Sequence, residues 1–171
     1  GTRVIDAKGK LVLPGFNDSH VHFLDGGYSL SNVDLRDAKS PEEFARRIGV
    51  FAKNVPKGQW ILGGDWDHEK WPGTPLPTKE MIDAVTPDNP VFVNRTDGHM
   101  ALANSLAIQL AKFPSDIKEI PGGMVVRDSN TGEPTGIFKD AAMDSIYKAI
   151  PDKSFAENLV AARAATAHAA S

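Results

Sequence analysis

The chain contains no cysteine and no long hydrophobic run, and both absences narrow what it can be. Without cysteine it forms no disulfide, and any bound metal must be held by histidine, carboxylate or modified lysine. No apolar stretch approaches the roughly 18 residues that a membrane-spanning helix needs, so we expect no membrane association. Lysine and arginine total 19 against 22 acidic residues, without a basic run, so nothing indicates a nucleic-acid partner.

The chain also lacks the signatures of several common enzyme classes. It has no Gly-x-Ser-x-Gly elbow and no phosphate-binding loop, so serine hydrolase and nucleotide-binding functions are not indicated. Its 41% hydrophobic and 24% charged residues are ordinary for a globular domain with one core. No secretory signal peptide is visible, and we expect a cytoplasmic protein.

The most informative stretch is Pro-Gly-Phe-Asn-Asp-Ser-His-Val-His-Phe at 14–23, which places His20 and His22 two positions apart. In a β-strand, side chains at i and i+2 leave on the same face, so both imidazoles could bind one metal ion. Asp18 has the same parity and could accept the second ring N–H of His20. The alternative is two histidines on a solvated strand face, which a lone His-x-His pair would favour.

This stretch resembles the metal-binding first barrel strand of the amidohydrolase superfamily, and residues 4–13 resemble the hairpin that precedes it there. The resemblance covers nearly the whole chain, and later motifs are similar to the YtcJ-like (amidohydrolase 3) branch. These motifs are Trp-Ile-Leu-Gly-Gly-Asp-Trp-Asp at 60–67, Pro-Val-Phe-Val-Asn-Arg-Thr-Asp-Gly-His at 90–99, Ala-Asn-Ser at 103–105 and Gly-Glu-Pro-Thr-Gly-Ile-Phe-Lys-Asp-Ala-Ala-Met at 132–143.

The resemblance implies an α/β fold, namely the N-terminal part of a (β/α)₈, TIM-like metallo-hydrolase barrel. Residues 1–14 would form the edge of a flanking β-sandwich, and residues 15–171 an incomplete barrel. A complete barrel takes roughly 250 residues, more than this chain has. We therefore expect the N-terminal portion of a longer enzyme, either as a fragment or as one chain of a split protein.

The residue pattern predicts strands that alternate with helices, as in a parallel α/β sheet with an inserted hairpin. Two capping boxes predict helix starts, one at Ser40 with Glu43 and one at Ser154 with Glu157. The predicted strands are 3–6, 11–13, 16–20, 60–62 and 91–94; a helix is predicted at 101–112, and a hairpin joins 124–127 to 135–138.

A barrel enzyme places its active site at the carboxyl ends of the strands, where the candidate residues fall. His20 and His22 are the predicted metal ligands, for one or two divalent cations, with zinc expected. The resemblance implies a third ligand, Lys139, because a strand-end lysine is carbamylated and bridges two metals in many amidohydrolases. The alternative for Lys139 is a solvated surface lysine.

His99 belongs to an Asp-Gly-His motif that the resemblance places at the pocket, as a catalytic or substrate-contacting residue or as support for a ligand. An ordinary hydrogen-bonded histidine is the alternative. Asp65, Trp66 and Asp97 are predicted to contact substrate, although tryptophan is also a common packing residue beneath long loops.

The function that the resemblance implies is metal-dependent hydrolysis of a non-peptide C–N bond in a small amide, formamide or cyclic amide. A proton-handling aspartate and two further histidines come from later strands in that superfamily, and no counterparts follow Lys139. An alternative is therefore a catalytically silent fragment or association module, forming a homo-oligomer or joining a missing C-terminal part. A third hypothesis is a non-catalytic module that binds metal through His20 and His22 alone.

Overall fold

The computed structural model describes residues 1–114 and 120–171, which form a mixed α/β structure with a six-stranded sheet. The helices are α1 (Phe23–Ser29), α2 (Pro41–Ala52), α3 (Lys79–Asp83), α4 (Ser105–Leu110), α5 (Asp144–Tyr147) and α6 (Phe155–Ala169), with 3-10 turns at His68–Lys70 and Ala141–Met143. The strands are β1 (Val33–Asp34), β2 (Gly63–Trp66), β3 (Phe92–Arg95), β4 (Met100–Ala103), β5 (Gly123–Arg127) and β6 (Pro134–Asp140). Among these described helices, none combines the length and apolarity needed to cross a bilayer.

The strands lie in the order β1-β2-β3-β4-β6-β5. The first three are parallel, as predicted. β4 is antiparallel to both of its neighbours, so β6 runs in the same direction as β3. The predicted hairpin is confirmed as the antiparallel pair β5 and β6. The carboxyl ends of β1, β2, β3 and β6 and the amino end of β4 therefore meet at one edge of the sheet.

Both faces of the sheet are covered by apolar side chains. Successive residues of β3 point to opposite faces, as the pleat requires. Val93 packs in one cluster with Phe44 and Ile48 of α2. Phe92 packs in the other cluster, which contains Ile146 of α5. The sheet is thus a rigid platform for the residues at its edge.

Both predicted helix starts are confirmed. At α2 the Ser40 hydroxyl accepts the Glu43 backbone N–H at 3.2 Å. The Glu43 carboxylate accepts the N–H of Lys39 at 2.9 Å, so the reciprocal half of this box is displaced by one residue. At α6 the box between Ser154 and Glu157 is complete.

Residues 1–22 contain no strand, so the predictions for 3–6, 11–13 and 16–20 are wrong in this structure. A strand needs neighbouring chain to satisfy its backbone N–H and C=O groups. The nearest strand in sequence, β1, is two residues long and pairs with β2. The apolar side chains of the segment consequently face solvent, and Phe16 is 91% exposed. Neither the sandwich edge nor the first barrel strand is formed here.

The strand predicted at 60–62 begins later, at Gly63, and Ile61 makes only an isolated bridge to Val91. The shift follows from the pair of glycines, which adopt positive φ angles while still pairing with β1. Glycine meets no Cβ clash at those angles. As a result Asp65 and Trp66 lie in the strand and not after it.

The helix predicted at 101–112 divides into strand β4 and helix α4. Residues 100–103 have good local helix propensity, but they pair on one side with β3 and on the other with β6. That tertiary pairing outweighs the propensity. Asn104 then begins α4, because its side chain accepts the N–H of Ala107 at 2.9 Å.

Candidate metal and substrate site

The two histidines predicted as metal ligands lie together at the end of the N-terminal segment. The ring centroids of His20 and His22 are 5.9 Å apart and the rings are tilted by 56°. Asp18 accepts the backbone N–H of His20 at 3.0 Å, and in this structure it makes no hydrogen bond to the His20 imidazole. His22 precedes α1 directly, and its Nδ1 lies 3.4 Å from the Asp25 carboxylate.

The histidine pair could supply two ligands of a metal site. Two imidazoles at that separation suit a divalent ion of the zinc type, which takes nitrogen ligands. Nowhere in residues 1–114 and 120–171 do three or more histidine, aspartate or glutamate side chains gather as a metal-binding group. The described residues therefore supply part of a ligand set, and a tight tetrahedral site needs more donors.

A cavity of about 470 Å³ adjoins the histidine pair. It is lined by residues of α1, of the first three strands and of the segment that joins α5 to α6. His22 touches its rim through Asp25, which is a lining residue. The polar and charged lining residues include Asp25, Tyr28, Asn32, Asp34, Arg36, Asp65, Asn94, Tyr147, Asp152 and Lys153.

The charges of this cavity are only partly neutralised. Arg36 binds Asp34 through two nitrogens, at 3.0 and 2.7 Å, and these bonds lower the pKa of Asp34 to about 2. Neither Asp65 nor Asp152 forms an ion pair or hydrogen bond through its side chain with any residue that the structure describes. Tyr147 donates its hydroxyl to Asn94 at 3.0 Å, and burial raises the pKa of Tyr147. The cavity therefore favours ligands that carry N–H groups or positive charge.

Asp65 reaches the cavity through an irregular stretch of β2. Gly64 pairs with Asn94 and Trp66 with Arg95, so Asp65 has no partner and forms a bulge. Its φ angle is +55°, in the left-handed region that few residues besides glycine adopt, asparagine and aspartate being the commonest of them. Such bulges and strained residues re-aim side chains near functional sites.

The structure places Trp66 in the core, away from the cavity. Its side chain is fully buried, its Nε1–H donates to the carbonyl of Val93 at 2.9 Å, and it packs against Phe44 and Trp71. Trp66 is therefore a packing residue of the core, which was the alternative to substrate contact. In this conformation the ring is not accessible to a ligand.

Asp97 and His99 lie in the turn between β3 and β4 and are held by two residues that sequence reasoning missed, Arg95 and Asp140. Arg95 binds the Asp97 carboxylate, and Asp97 accepts the backbone N–H of His99 at 3.0 Å. His99 Nδ1 lies 2.8 Å from Asp140. The hydrogen bond to Asp140 and the nearby negative charge raise the pKa of His99. Asp140 thus binds a histidine and does not cap the helical turn after it.

Lys139 lies within β6, between Met100 of β4 and Met124 of β5. Its ammonium group forms no ion pair or hydrogen bond with the described residues. Neighbouring strands are about 4.8 Å apart, so β6 lies on the order of 19 Å from β1 across a flat sheet. The structure therefore does not bring Lys139 to the histidine pair.

The missed residues had a partial signal in the sequence. Arg95 directly follows the predicted third strand and precedes Asp97 by two positions, but a strand-end arginine is equally typical of a solvated surface. Asp140 precedes a helical pattern, a position in which aspartate usually caps a helix, so its sequence context indicates a different role. Only the pairing of β4 with β6 reveals that it meets His99.

A model of the amidohydrolase family matches residues 3–171. The chain belongs to this family. The match covers both the N-terminal segment and the sheet, so the histidine pair and the residues at the edge of the sheet lie in one family region.

Curated relatives of this amidohydrolase-family chain come from plants and bacteria. It is 43% identical over 146 residues to Protein LONG AFTER FAR-RED 3 of Arabidopsis thaliana, covering 85% of this chain and 25% of that protein. It is 33% identical to Putative amidohydrolase YtcJ of Bacillus subtilis, covering 90% and 29%. It is 32% identical to N-substituted formamide deformylase of Arthrobacter pascens, covering 85% and 27%. The chain thus spans between a quarter and a third of these relatives.

A solved structure supports the same relationship. An uncharacterized metal-dependent hydrolase from Pyrococcus furiosus superposes with a TM-score of 0.62 at 30% identity. The alignment covers 91% of this chain and 29% of that one.

Proposed function

We propose that this chain supplies part of the active site of a metal-dependent hydrolase that cleaves a non-peptide C–N bond. The observation that carries the proposal is the pair His20 and His22 at the rim of a cavity lined by unpaired carboxylates. Family membership supports a hydrolase, and the name of the Arthrobacter pascens relative supports an amide or formamide substrate. The complete site needs residues beyond this chain.

His20 and His22 would hold a divalent ion, with zinc expected, and Lys139 would add a ligand after carbamylation. The unprotonated Lys139 amine adds to CO₂ and loses a proton, which converts a cation into a carboxylate-like donor. A bound ion would lower the pKa of a coordinated water toward neutrality and polarise the scissile carbonyl.

The separation between Lys139 and the histidines sets a structural condition on this proposal. They approach one another only if the sheet curls toward a closed barrel, with the histidine segment as its first strand. Closing a sheet requires strands tilted against the barrel axis and further strands to complete the circle. The relatives are long enough to supply those strands, because this chain spans 25–29% of them.

The cavity residues would bind and orient the substrate. Asp65 presents an unpaired carboxylate to N–H groups of the substrate, and Asn94 and Tyr147 offer a polar surface beside it. His99 and Asp140 lie at the same edge of the sheet, where a proton can be held between imidazole and carboxylate. Hydrolysis adds water across the C–N bond, giving a carboxylic acid and an amine after one proton reaches nitrogen.

The test is divalent metal content per chain, measured by plasma mass spectrometry on the purified protein and on a His20→Ala/His22→Ala double variant. A matched control is His168→Ala, which removes an exposed histidine of α6. Metal at a stoichiometric level in the wild type and control but absent from the double variant would support the proposal. Equal metal in all three samples would contradict a site on this pair. No metal in any sample would show that the pair does not hold an ion without the residues that complete the site. Release of amine from an N-substituted formamide then tests the substrate class.

The exposed apolar side chains of residues 1–22 favour a second candidate, an association module. Val4, Leu11 and Phe16 are 87%, 83% and 91% exposed, and several large exposed apolar side chains in one segment favour an interaction site. Under this proposal the segment pairs with the remainder of the polypeptide or with a second copy. Sedimentation velocity would test the second outcome, since a concentration-independent monomer excludes a homo-oligomer.

A further inference from the structure

Arg95 lies at the carboxyl end of β3, and its guanidinium pairs with acidic side chains from two loops. Its side chain is 12% exposed and faces three carboxylates. Nη2 donates to Glu69 at 2.8 Å and lies 3.4 Å from Asp67, and Nη1 donates to Asp97. A planar guanidinium suits this arrangement, because its donors point in fixed directions that a single ammonium cannot reproduce. Burial opposes the charge, but the three carboxylates outweigh it and raise the pKa of Arg95.

The Asp97 carboxylate joins Arg95 to His99. One oxygen, Oδ2, accepts from Arg95, and the other, Oδ1, accepts the backbone N–H of His99 at 3.0 Å. Gly98 makes this turn with a φ of +74°, and its N–H donates to the carbonyl of Arg95 at 2.9 Å. A carboxylate free to rotate would exchange the His99 bond with water, whereas one fixed by arginine keeps it.

His99 is held a second and a third time by Asp140. The His99 carbonyl accepts the Asp140 N–H at 3.0 Å, and the His99 ring lies 2.8 Å from the Asp140 carboxylate. Asp140 has a φ of +48°, a strained conformation that persists only where the surroundings determine it. The position of His99 therefore also determines the backbone directly after Lys139.

We propose that Arg95 is a positioning residue that, through Asp97, fixes His99 against Asp140 at the end of β6. The importance of His99 for catalysis rests on the proposed function; the positioning itself does not. Without Arg95, the carboxylates of Asp67, Glu69 and Asp97 would repel one another, and only Lys70, 3.8 Å from Asp67, would remain as a counter-charge. Asp97 would then turn toward solvent, and the His99 backbone and ring would lose their fixed orientation.

The experiment is nitrogen NMR of the full chain labelled with ¹⁵N-histidine, at a pH where His99 is neutral. An ionised Asp140 only accepts hydrogen bonds, so a neutral His99 in this pair must carry its proton on Nδ1. The wild type should show a single-tautomer pattern for His99. Arg95→Met should replace it with the averaged pattern of an unconstrained imidazole, and the exchange of the His99 amide should accelerate. Arg95→Lys should keep the pattern only in part, because lysine supplies the positive charge but not the fixed donor directions of the guanidinium.

Arg47→Met is the matched control. Arg47 of α2 binds Asp37 and Glu43, its side chain is 25% exposed, and neither of these partners lies in the turn that contains His99. Its removal should lower stability without changing the His99 pattern. Should Arg95→Met fail to fold, Asp97→Asn provides the second test. It preserves shape and an acceptor but weakens the bond to Arg95, so the same change should appear in smaller degree.

An unchanged His99 pattern and amide exchange in folded Arg95→Met, or in folded Asp97→Asn, would overturn the proposal. So would an equal change in Arg47→Met, since the effect would then reflect general stability. This readout is independent of metal. Loss of the His99 pattern in Arg95→Met supports the positioning role whether or not the chain binds metal. Metal that depends on His20 and His22, together with an unchanged His99 pattern in Arg95→Met, would support the proposed function and overturn the positioning role.

Discussion

The N-terminal segment, residues 1–22, and the sheet differ in how their candidate residues are held. His20 and His22 lie in the segment, where side chains are exposed and the backbone has no strand partner. Arg95, His99 and Asp140 lie at the edge of the sheet, where each is fixed by hydrogen bonds to the others or to Asp97. The stronger sequence motif is thus in the less supported region.

The difference shows that a motif and its support can reside in different parts of a long chain. A strand-borne histidine pair needs neighbouring strands on both sides before its geometry is rigid. The turn with His99 needs only β3, β4 and β6, all of which this chain contains. The side chains at the edge of the sheet are therefore held in place in this structure, whereas the histidine pair lacks neighbouring strands that would fix it.

The largest expected effect separates the two regions by stability. Trp66→Ala removes a fully buried ring and a hydrogen bond to Val93, and should lower the free energy of unfolding by about 3–5 kcal/mol. Phe16→Ala removes a ring that is 91% exposed and should change it by less than about 0.5 kcal/mol. Urea denaturation measures both. A cost for Phe16→Ala comparable with that of Trp66→Ala would mean that the segment is packed after all.

The next effect concerns buried polar support. Asn104 accepts the N–H groups of Val91 and Ala107, at 3.0 and 2.9 Å, and donates to Asn89 at 2.9 Å. Asn104→Ala leaves these buried groups without partners and should cost about 2–4 kcal/mol. Asn17→Ala, in the exposed segment, should be nearly neutral. Equal midpoints for the two variants in urea would contradict the assignment of Asn104 as a link between β3 and α4.

Much of the sheet region could be predicted from sequence because its signals are local. The caps at Ser40 and Ser154 depend on residues three positions apart, and the hairpin depends on one turn. The strand at 91–94 is bounded by proline and glycine and lies within one residue of β3. Each of these features is determined by residues that are close in sequence.

The failures share a dependence on distant chain. Residues 100–103 read as helix because their partners, β3 and β6, are invisible to a local pattern. The strand at 16–20 has the right composition but no edge to join. The candidate site shows the same dependence. Asp65 lines the cavity, whereas Trp66 is buried in the core. The sequence does not reveal the role of Arg95, because its three carboxylate partners come from two different loops.

The His99–Asp140 pair should make stability depend on pH. Because Asp140 raises the pKa of His99 above its ordinary value of 6.5, protonated His99 stabilises the folded chain. This contribution is complete below the unfolded pKa and is lost as pH rises through the higher folded value. The free energy of unfolding should therefore fall slightly as pH increases above about 6.5. Asp140→Asn should flatten this dependence, whereas a slope that persists in Asp140→Asn would assign it to another group.

The smallest expected effect tests whether the backbone conformation that places Asp65 at the cavity lowers the stability of the fold. The φ of +55° at Asp65 lies in the left-handed region, where asparagine is the usual alternative to glycine, and asparagine also keeps the size of the side chain. Asp65→Asn should therefore raise the free energy of unfolding by a few tenths of a kcal/mol, up to about 1 kcal/mol, in urea denaturation.

Asp152→Asn is the matched control for that gain, since Asp152 lines the same cavity but is not among the residues with positive φ. It removes the same charge without relieving backbone strain, so its stability should stay unchanged. If both variants gain stability equally, repulsion between carboxylates, and not backbone strain, is the cause. If Asp65→Asn alone gains, the bulge in β2 is a feature that the fold maintains at a cost. A cost of that kind is expected where a side chain is held for a ligand, in contrast to the strain-free backbone that carries Asp152.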